Sequence, residues 1–278
     1  MAKEPTLDMG ALDRWRDEVW HRTPGRKVTD EVSALRYLAE VSCCLAFGGY
    51  DVGVPTLWVA ACGERAPAFP KHSHHDAAVG LVWSLKDTLA DADVAYYGRL
   101  FLRKPSFVAR PWLATVVAAS PERTLSPAAG AILETLRQTG PLGTEELRQR
   151  AGFASRKALV AALEEAQGAL AVARVEVRYD PWTYVWGTFD QRYAADQAEA
   201  EQIPQGLARR KLVRLWVRLL GVVSPARLAT ILGWPTRVVE EAVRPLVAEG
   251  TLRDDVRIEG RPGAALADRD VYDLIRGA

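Results

Sequence analysis

The chain has 278 residues and an almost balanced charge, with 36 Lys and Arg against 35 Asp and Glu. Hydrophobic residues make up 49% and charged residues 26%, a composition that excludes a disordered chain and is typical of globular proteins. This length predicts two or three modules. The overall balance differs from that of small, strongly basic DNA-binding domains, but residues 204–278 are basic, with 13 Lys and Arg against 9 Asp and Glu.

The cysteines and the apolar segments indicate in which cellular compartment the protein is expected. The cysteines are Cys43, Cys44 and Cys62. An odd number with two adjacent does not suit a disulfide framework and favours a reducing environment. The first residues lack the apolar segment of a signal peptide, and the apolar stretch Leu212–Val223 is interrupted by Arg214 and Arg218. We therefore expect a soluble, cytoplasmic protein without a membrane partner.

Residues 1–120 predict an N-terminal helical domain. Helices are expected at Thr29–Leu45, with Thr29 as the cap, and at Asp76–Leu89. A basic hairpin is expected at Tyr96–Val108, followed by a helix that begins at Pro111. This order of elements is compatible with a divergent winged helix.

Residues 121–192 predict a winged helix, which is three helices followed by a β-hairpin. Ser126, Thr144 and Ser155 each stand where a side chain can cap one of the three helices. The segments Leu170–Arg178 and Thr183–Phe189 alternate as strands on either side of a turn.

An internal repeat extends this interpretation to residues 206–278, after a linker at 193–205. Gly152–Arg156 recurs 81 positions later as Gly233–Arg237, and both copies follow the pattern Gly, aromatic, any residue, hydroxyl, Arg. In the second copy Thr236 is expected to cap the third helix. A candidate wing lies at Leu252–Ile258 and Ala264–Leu266. The predicted fold class is therefore mainly α with small β-hairpins (α+β), built from tandem winged-helix domains.

The third helix of each unit supplies the first candidate binding residues, because its N-terminal end enters the major groove in helix-turn-helix proteins. Arg156, Lys157 and Arg237 hold these positions. Ser155 and Thr236 add backbone amides at a helix N-terminus, which suit a phosphate. Alternatively, the hydroxyls only cap and the arginines are solvated, since the same fold also serves as a protein-binding module.

The wing tips supply the second candidates, because a basic hairpin can follow the minor groove. Arg178, Arg103, Lys104 and Arg261 are placed there. Trp182 lies beside a turn and either contacts a base or sugar or folds back on its own domain; the second is our expectation.

The histidines give no metal prediction. His72, His74 and His75 precede a helix without a further ligand at a recognisable spacing, so a solvated loop is the expected structure. Nucleotide-binding and hydrolase motifs are absent, and we expect no cofactor, metal or small-molecule ligand. Cys43 and Cys44 fall within a predicted helix, where core packing is the expected role.

The run of winged helices, with the segments Leu81–Asp87 and Tyr96–Arg99, resembles the AlkZ/YcaQ-type winged-helix DNA glycosylase superfamily. The resemblance implies a concave channel around damaged DNA. It also implies a catalytic Gln-x-Gln or Gln-x-Asp signature, which this sequence lacks. The nearest approach is Gln197–Glu199 in the linker.

Three functions are compatible with these patterns. The first is a non-catalytic protein that binds duplex DNA in repair or transcription. The second is a DNA glycosylase for alkylated or crosslinked bases that uses a different carboxylate. The third is a scaffold whose winged helices bind protein partners.

Overall fold

The computed structural model describes residues 6–67, 75–260 and 263–277. The described residues of the N-terminal third contain a short β1 and one three-stranded sheet among five α-helices. Its elements are β1 (Thr6–Leu7), α1 (Met9–Val19), α2 (Glu31–Val41), β2 (Cys43–Leu45), α3 (Leu57–Cys62), α4 (Ala77–Asp91), β3 (Ala95–Arg99), β4 (Pro105–Ala109) and α5 (Arg110–Ala119).

The middle and C-terminal thirds each contain a further small sheet. The middle elements are α6 (Pro127–Thr139), β5 (Leu142–Gly143), α7 (Thr144–Arg150), α8 (Arg156–Gly168), β6 (Val172–Tyr179), β7 (Trp182–Thr188), α9 (Phe189–Arg192) and α10 (Ala194–Glu201). The C-terminal elements are α11 (Gln205–Leu220), β8 (Val222–Val223), α12 (Pro225–Leu232), α13 (Thr236–Ala248), β9 (Leu252–Ile258), β10 (Ala265–Asp268) and α14 (Arg269–Gly277). The α+β fold class predicted from the sequence is confirmed.

One topology occurs three times along the chain. In each copy a helix is followed by a short strand, two helices and a hairpin, and the short strand pairs with the second strand of the hairpin. The sheet orders are β2-β4-β3, β5-β7-β6 and β8-β10-β9, with β1 added in parallel at the free edge of β9. We call residues 31–109, 127–188 and 205–268 the first, second and third winged-helix units. The first unit thus has the same order of helices and strands as the two units predicted from the repeat.

The hydrophobic cores do not follow the order of the three units along the chain. The second unit has a core of its own, built around Ile132, Leu159 and Trp186. The first and third units share one core, in which Phe101 of the first hairpin meets Trp216 of α11 with ring centroids 4.8 Å apart. The proposed limits 1–120, 121–192, 193–205 and 206–278 remain a prediction. The shared core holds the first and third units together, whereas a separate core with Leu7, Leu12 and Tyr272 joins the terminal elements β1, α1 and α14.

Two local predictions in the first unit are wrong. The helix expected at Thr29–Leu45 is capped by Asp30, whose side chain accepts from the Ser33 N–H at 2.7 Å, and it ends at Val41. Cys43 and Cys44 therefore lie in β2 rather than in a helix. Both are fully buried, as expected, and burial raises the pKa of the Cys44 thiol to about 12, which keeps it protonated at neutral pH.

A buried charged network joins the first unit to the second. Lys86 of α4 donates from Nζ to Asp87 at 2.6 Å and to the Tyr184 hydroxyl at 2.8 Å. Arg174 of β6 bonds the same Asp87 carboxylate and donates to the Lys86 carbonyl at 3.1 Å. Its guanidinium also lies over the rings of Tyr97 and Tyr184. The Asp87 carboxylate thus compensates two buried cations from different units, and Asp91 of α4 adds a longer contact with Arg174 at 3.5 Å.

Replacing Asp87 is expected to be among the most destabilising single changes in this protein. Asp87→Ala leaves two buried cations without their shared partner, which should lower the free energy of unfolding by about 3–5 kcal/mol. Urea denaturation followed by tryptophan fluorescence measures this. The matched control is Glu176→Ala, which removes the carboxylate of an exposed pair with Arg178 and should cost less than about 1 kcal/mol. Equal losses in the two variants would contradict the network's role.

Candidate nucleic-acid interface

The start of α8 presents the predicted cations to solvent. The Ser155 hydroxyl accepts from the Ala158 N–H at 3.2 Å, so the predicted cap is confirmed. Arg156 and Lys157 are the first two residues of the helix, and both are exposed. Neither forms an ion pair with a carboxylate among the described residues. The amides and the two cations create a positive helix end.

The corresponding end of α13 differs from the prediction. Thr236 is the first helical residue and caps nothing with its side chain, because Pro235 takes the capping position with φ −58° and ψ 140°. The hydroxyl is therefore one position too late to reach the free amides of the first turn. Arg237 is exposed but pairs with Glu241 one turn on, at 2.7 Å. At this helix end the positive charge of Arg237 is therefore neutralised by Glu241.

The wing of the second unit carries aromatic side chains at its tip. Arg178 is paired with Glu176 at 3.2 Å. Trp182 remains 53% exposed while its ring packs on Tyr184, with centroids 4.9 Å apart. Trp182 thus contacts its own domain, as expected, and still offers a face to solvent, while contact with a base or sugar stays a prediction. Arg261, predicted at the third wing, lies outside the described residues.

The hairpin of the first unit ends in a tight, basic turn. Leu102 and Arg103 both adopt left-handed backbone angles, with φ of 52° and 54°, a conformation that costs an L-residue about 1–2 kcal/mol. Hydrogen bonds hold the turn, since the Lys104 N–H donates to the Phe101 carbonyl at 2.9 Å and the Ser106 hydroxyl donates to the Lys104 carbonyl at 2.7 Å. Arg103 and Lys104 are exposed there, without an ion pair among the described residues.

Arg123 is a cation that sequence reasoning missed. It lies in the connection between α5 and α6, donates from Nη2 to the Gly233 carbonyl at 3.1 Å, and so reaches the turn of the third unit. Partial burial and the neighbouring Arg103 lower the pKa of Arg123. A connecting segment gives no periodic signal for such a contact. Arg103, Lys104 and Arg123 therefore form a cationic group, called here the hairpin cluster, beside the third unit.

A cleft of about 550 Å³ opens on the other side of the same hairpin. One wall is the face of β7 with Trp182, Tyr184 and Trp186, whose rings form a row. The opposite wall comes from β3 and α8, including Tyr97, Arg99, Arg156, Val160 and Glu164. Arg99 and Glu164 form an ion pair across the two units at 2.6 Å. The cleft thus combines aromatic surface with charged groups.

Thr144 builds the wall of the cleft rather than capping α7. Gly143 holds the capping position. The Thr144 hydroxyl accepts from the Trp186 indole N–H at 3.0 Å and donates to the Tyr184 carbonyl at 3.0 Å. The predicted cap is therefore wrong, because the hydroxyl turns to the sheet and fixes two residues of β7.

The histidine cluster and the segment around Gln197 are further candidates for a site. His72 and His74 lie outside the described residues, and no group of three metal-ligating side chains converges elsewhere in the described chain. The segment Gln197–Glu199 lies in α10, whose neighbouring Asp196 is buried and paired with Arg110 at 2.6 Å. No helix among the described residues is long and apolar enough to cross a membrane.

Comparison with known proteins decides the family. A sequence profile described as AlkZ related matches residues 44–226, which is more than half of the chain. The chain belongs to the AlkZ-related family. The DNA glycosylase AlkZ of Streptomyces sahachiroi is similar in structure, with a TM-score of 0.63 and 12% identity over 98% of this chain and 73% of that protein. No curated protein matches the chain by sequence. Identity this low establishes a shared fold.

The wall of the cleft in this AlkZ-related protein depends on the Thr144 hydroxyl. Thr144→Val keeps the shape of the side chain but leaves the Trp186 N–H and the Tyr184 carbonyl without this partner, so we expect a loss of about 1–3 kcal/mol in unfolding free energy. Thr139→Val, at the exposed end of α6, is the control and should stay within about 0.5 kcal/mol of the wild type. Chemical denaturation compares the two. An unchanged Thr144→Val variant would show that the hydroxyl does not hold the wall.

Proposed function

We propose that this protein binds duplex DNA through its unpaired cations and serves DNA repair without itself excising bases. The observation that carries the proposal is that unpaired cations gather around the first-unit hairpin. Some exposed arginines, such as Arg150, Arg178 and Arg237, have a carboxylate within 3.2 Å. Other arginines without an ion pair among the described residues lie singly on α2, α6 and α13, namely Arg36, Arg137 and Arg244. The cations around the hairpin that have no such carboxylate among the described residues are Arg103, Lys104, Arg156 and Lys157.

Pairing matters because a carboxylate beside an arginine both neutralises its charge and repels a phosphate. When an unpaired cation binds DNA, it loses only its hydration water and its own counterions. The DNA releases condensed counterions at the same time, and this release drives the association. With a net charge of +1, the chain has little general attraction for DNA. Binding must therefore come from the places where positive charge is left uncompensated.

The two unpaired groups flank the first-unit hairpin. Arg156 and Lys157 stand at the N-terminus of α8, where backbone amides add to the positive potential. The hairpin cluster stands on the side of the third unit, linked to it through Arg123 and Gly233. Contacts from two units favour recognition of an extended backbone rather than a single anion.

Family membership supports the connection to repair. The structural neighbour from Streptomyces sahachiroi is a DNA glycosylase, and this chain spans 73% of its length. The Gln-x-Gln or Gln-x-Asp signature implied by the resemblance does not occur in this sequence. A role in binding damaged or intact duplex without base excision fits both observations.

DNA affinity should depend on the unpaired cations and not on the paired ones. Arg156→Ala and Arg103→Ala should each weaken binding to any duplex and reduce the slope of log K against log salt by about one unit, because one phosphate contact is lost. Fluorescence anisotropy at salt concentrations between 50 and 200 mM measures both quantities. Arg150→Ala is the matched control, since its side chain is similarly exposed but paired with Glu146.

Two results would redirect the proposal. Wild-type affinity in both Arg156→Ala and Arg103→Ala would remove the unpaired cations from the interface. Wild-type binding that does not weaken with salt would favour the protein-binding scaffold instead. Arg237→Ala should have a smaller effect than Arg156→Ala, because Glu241 already compensates that charge.

A glycosylase is the second candidate, favoured by family membership and by the glutamates beside the aromatic cleft. An ionised carboxylate can stabilise the sugar cation that forms when a base leaves. We expect no release of free base from alkylated duplex, measured by chromatography after incubation with enzyme. Multiple turnovers that are lost in Glu164→Gln would establish the glycosylase instead.

A further inference from the structure

The cleft beside α8 has an aromatic wall suited to a planar ring. Trp182 and Tyr184 alternate on one face of β7 with centroids 4.9 Å apart, and Trp186 continues the row 5.9 Å from Tyr184. The indole of Trp182 keeps about half of its surface exposed. Aromatic side chains arranged in this way stack flat heterocycles, and bases stack on them regardless of sequence.

The polar groups of the cleft match one base together with its backbone. Glu145, Glu146 and Glu164 line the cleft and offer only acceptors when ionised. Each carboxylate already accepts from one arginine, Arg148, Arg150 and Arg99 in turn, so only its remaining lone pairs face a ligand. A hydrogen bond from Arg148 holds the pKa of Glu145 below its usual value. Acceptors of this kind pair with the exocyclic amino groups of bases. Arg156 also lines the cleft. Glu145 lies near enough to interact with its charge, but no carboxylate reaches ion-pair distance among the described residues, so the guanidinium keeps its donors for a phosphate.

The dimensions agree with a single nucleotide unit. A volume of about 550 Å³ lies within the range of pockets that bury small organic ligands. Arg156 belongs to the surface proposed above to contact DNA, so the opening of the cleft adjoins the bound backbone. A base that leaves its stack at this point has an aromatic surface to replace its neighbours.

We propose that the cleft receives one unstacked nucleobase of the bound DNA, with the base on Trp182 and its phosphate at Arg156. This inference rests on the DNA-binding function proposed above, but it requires no reaction. Extrusion costs least for a base that has no partner, so DNA with an unpaired base should bind more tightly than a fully paired duplex.

The experiment compares three duplexes that differ at one position: fully paired, with a single bulged 2-aminopurine, and with a bulged abasic analogue. The wild-type protein should bind the bulged 2-aminopurine about tenfold more tightly than the paired duplex, because stacking of one base is regained. The abasic bulge bends similarly but offers no base, so its affinity should lie close to that of the paired duplex. Trp182→Ala should reduce the tenfold ratio to about one.

Tyr179→Ala provides the matched control, because Tyr179 is an exposed aromatic of the same wing tip that does not line the cleft. It should retain the wild-type ratio. Equal binding of the base bulge and the abasic bulge, or equal losses in Trp182→Ala and Tyr179→Ala, would overturn the inference while leaving DNA binding intact. A wild-type protein that binds none of the duplexes would instead contradict the DNA-binding proposal.

Discussion

The buried carboxylate of Asp87 fixes the position of the second winged-helix unit relative to the first. It compensates Lys86 from α4 and Arg174 from β6, and Tyr184 completes the contact from β7. Separating a buried cation from the carboxylate that compensates it is costly, and Asp91 adds only a longer contact with Arg174 at 3.5 Å. The two units therefore cannot slide past each other at low energetic cost. Tyr184 belongs both to this network and to the cleft wall, so the same constraint shapes the cleft.

The first-unit hairpin connects the remaining features. On one side Tyr97 and Arg99 form part of the cleft, and Arg99 pairs with Glu164 of α8. At the tip, Arg103 adjoins Arg123, which bonds the turn of the third unit. The core shared by the first and third units holds this hairpin firmly in place. Two unpaired cationic groups and one aromatic cleft are thereby fixed on neighbouring surfaces.

Sequence patterns predicted what depends on local chemistry. The Ser155 cap, the wings and the fold class follow from capping, alternation and turn residues, which act over a few positions. The caps at Thr144 and Thr236 failed because a neighbouring Gly or Pro takes the capping position, a choice that tertiary contacts decide. Three features join residues from different units: the network around Asp87, the Arg123 contact and the cleft. Sequence periodicity describes neighbours within one helix or strand, so it cannot predict which residues of different units lie close together.

Lysine acetylation followed by mass spectrometry tests the central claim most directly, because it reports which side chains DNA covers. The interface contains Lys104 at the hairpin tip and Lys157 at the start of α8. Lys27 is also exposed and has no ion pair among the described residues, but it lies near the end of α3 and belongs to neither cationic group, so it tests location rather than pairing. Saturating duplex should slow the acetylation of Lys104 and Lys157 several-fold and leave Lys27 unchanged. Equal protection of all three, or protection of Lys27 alone, would contradict DNA binding through the unpaired cations.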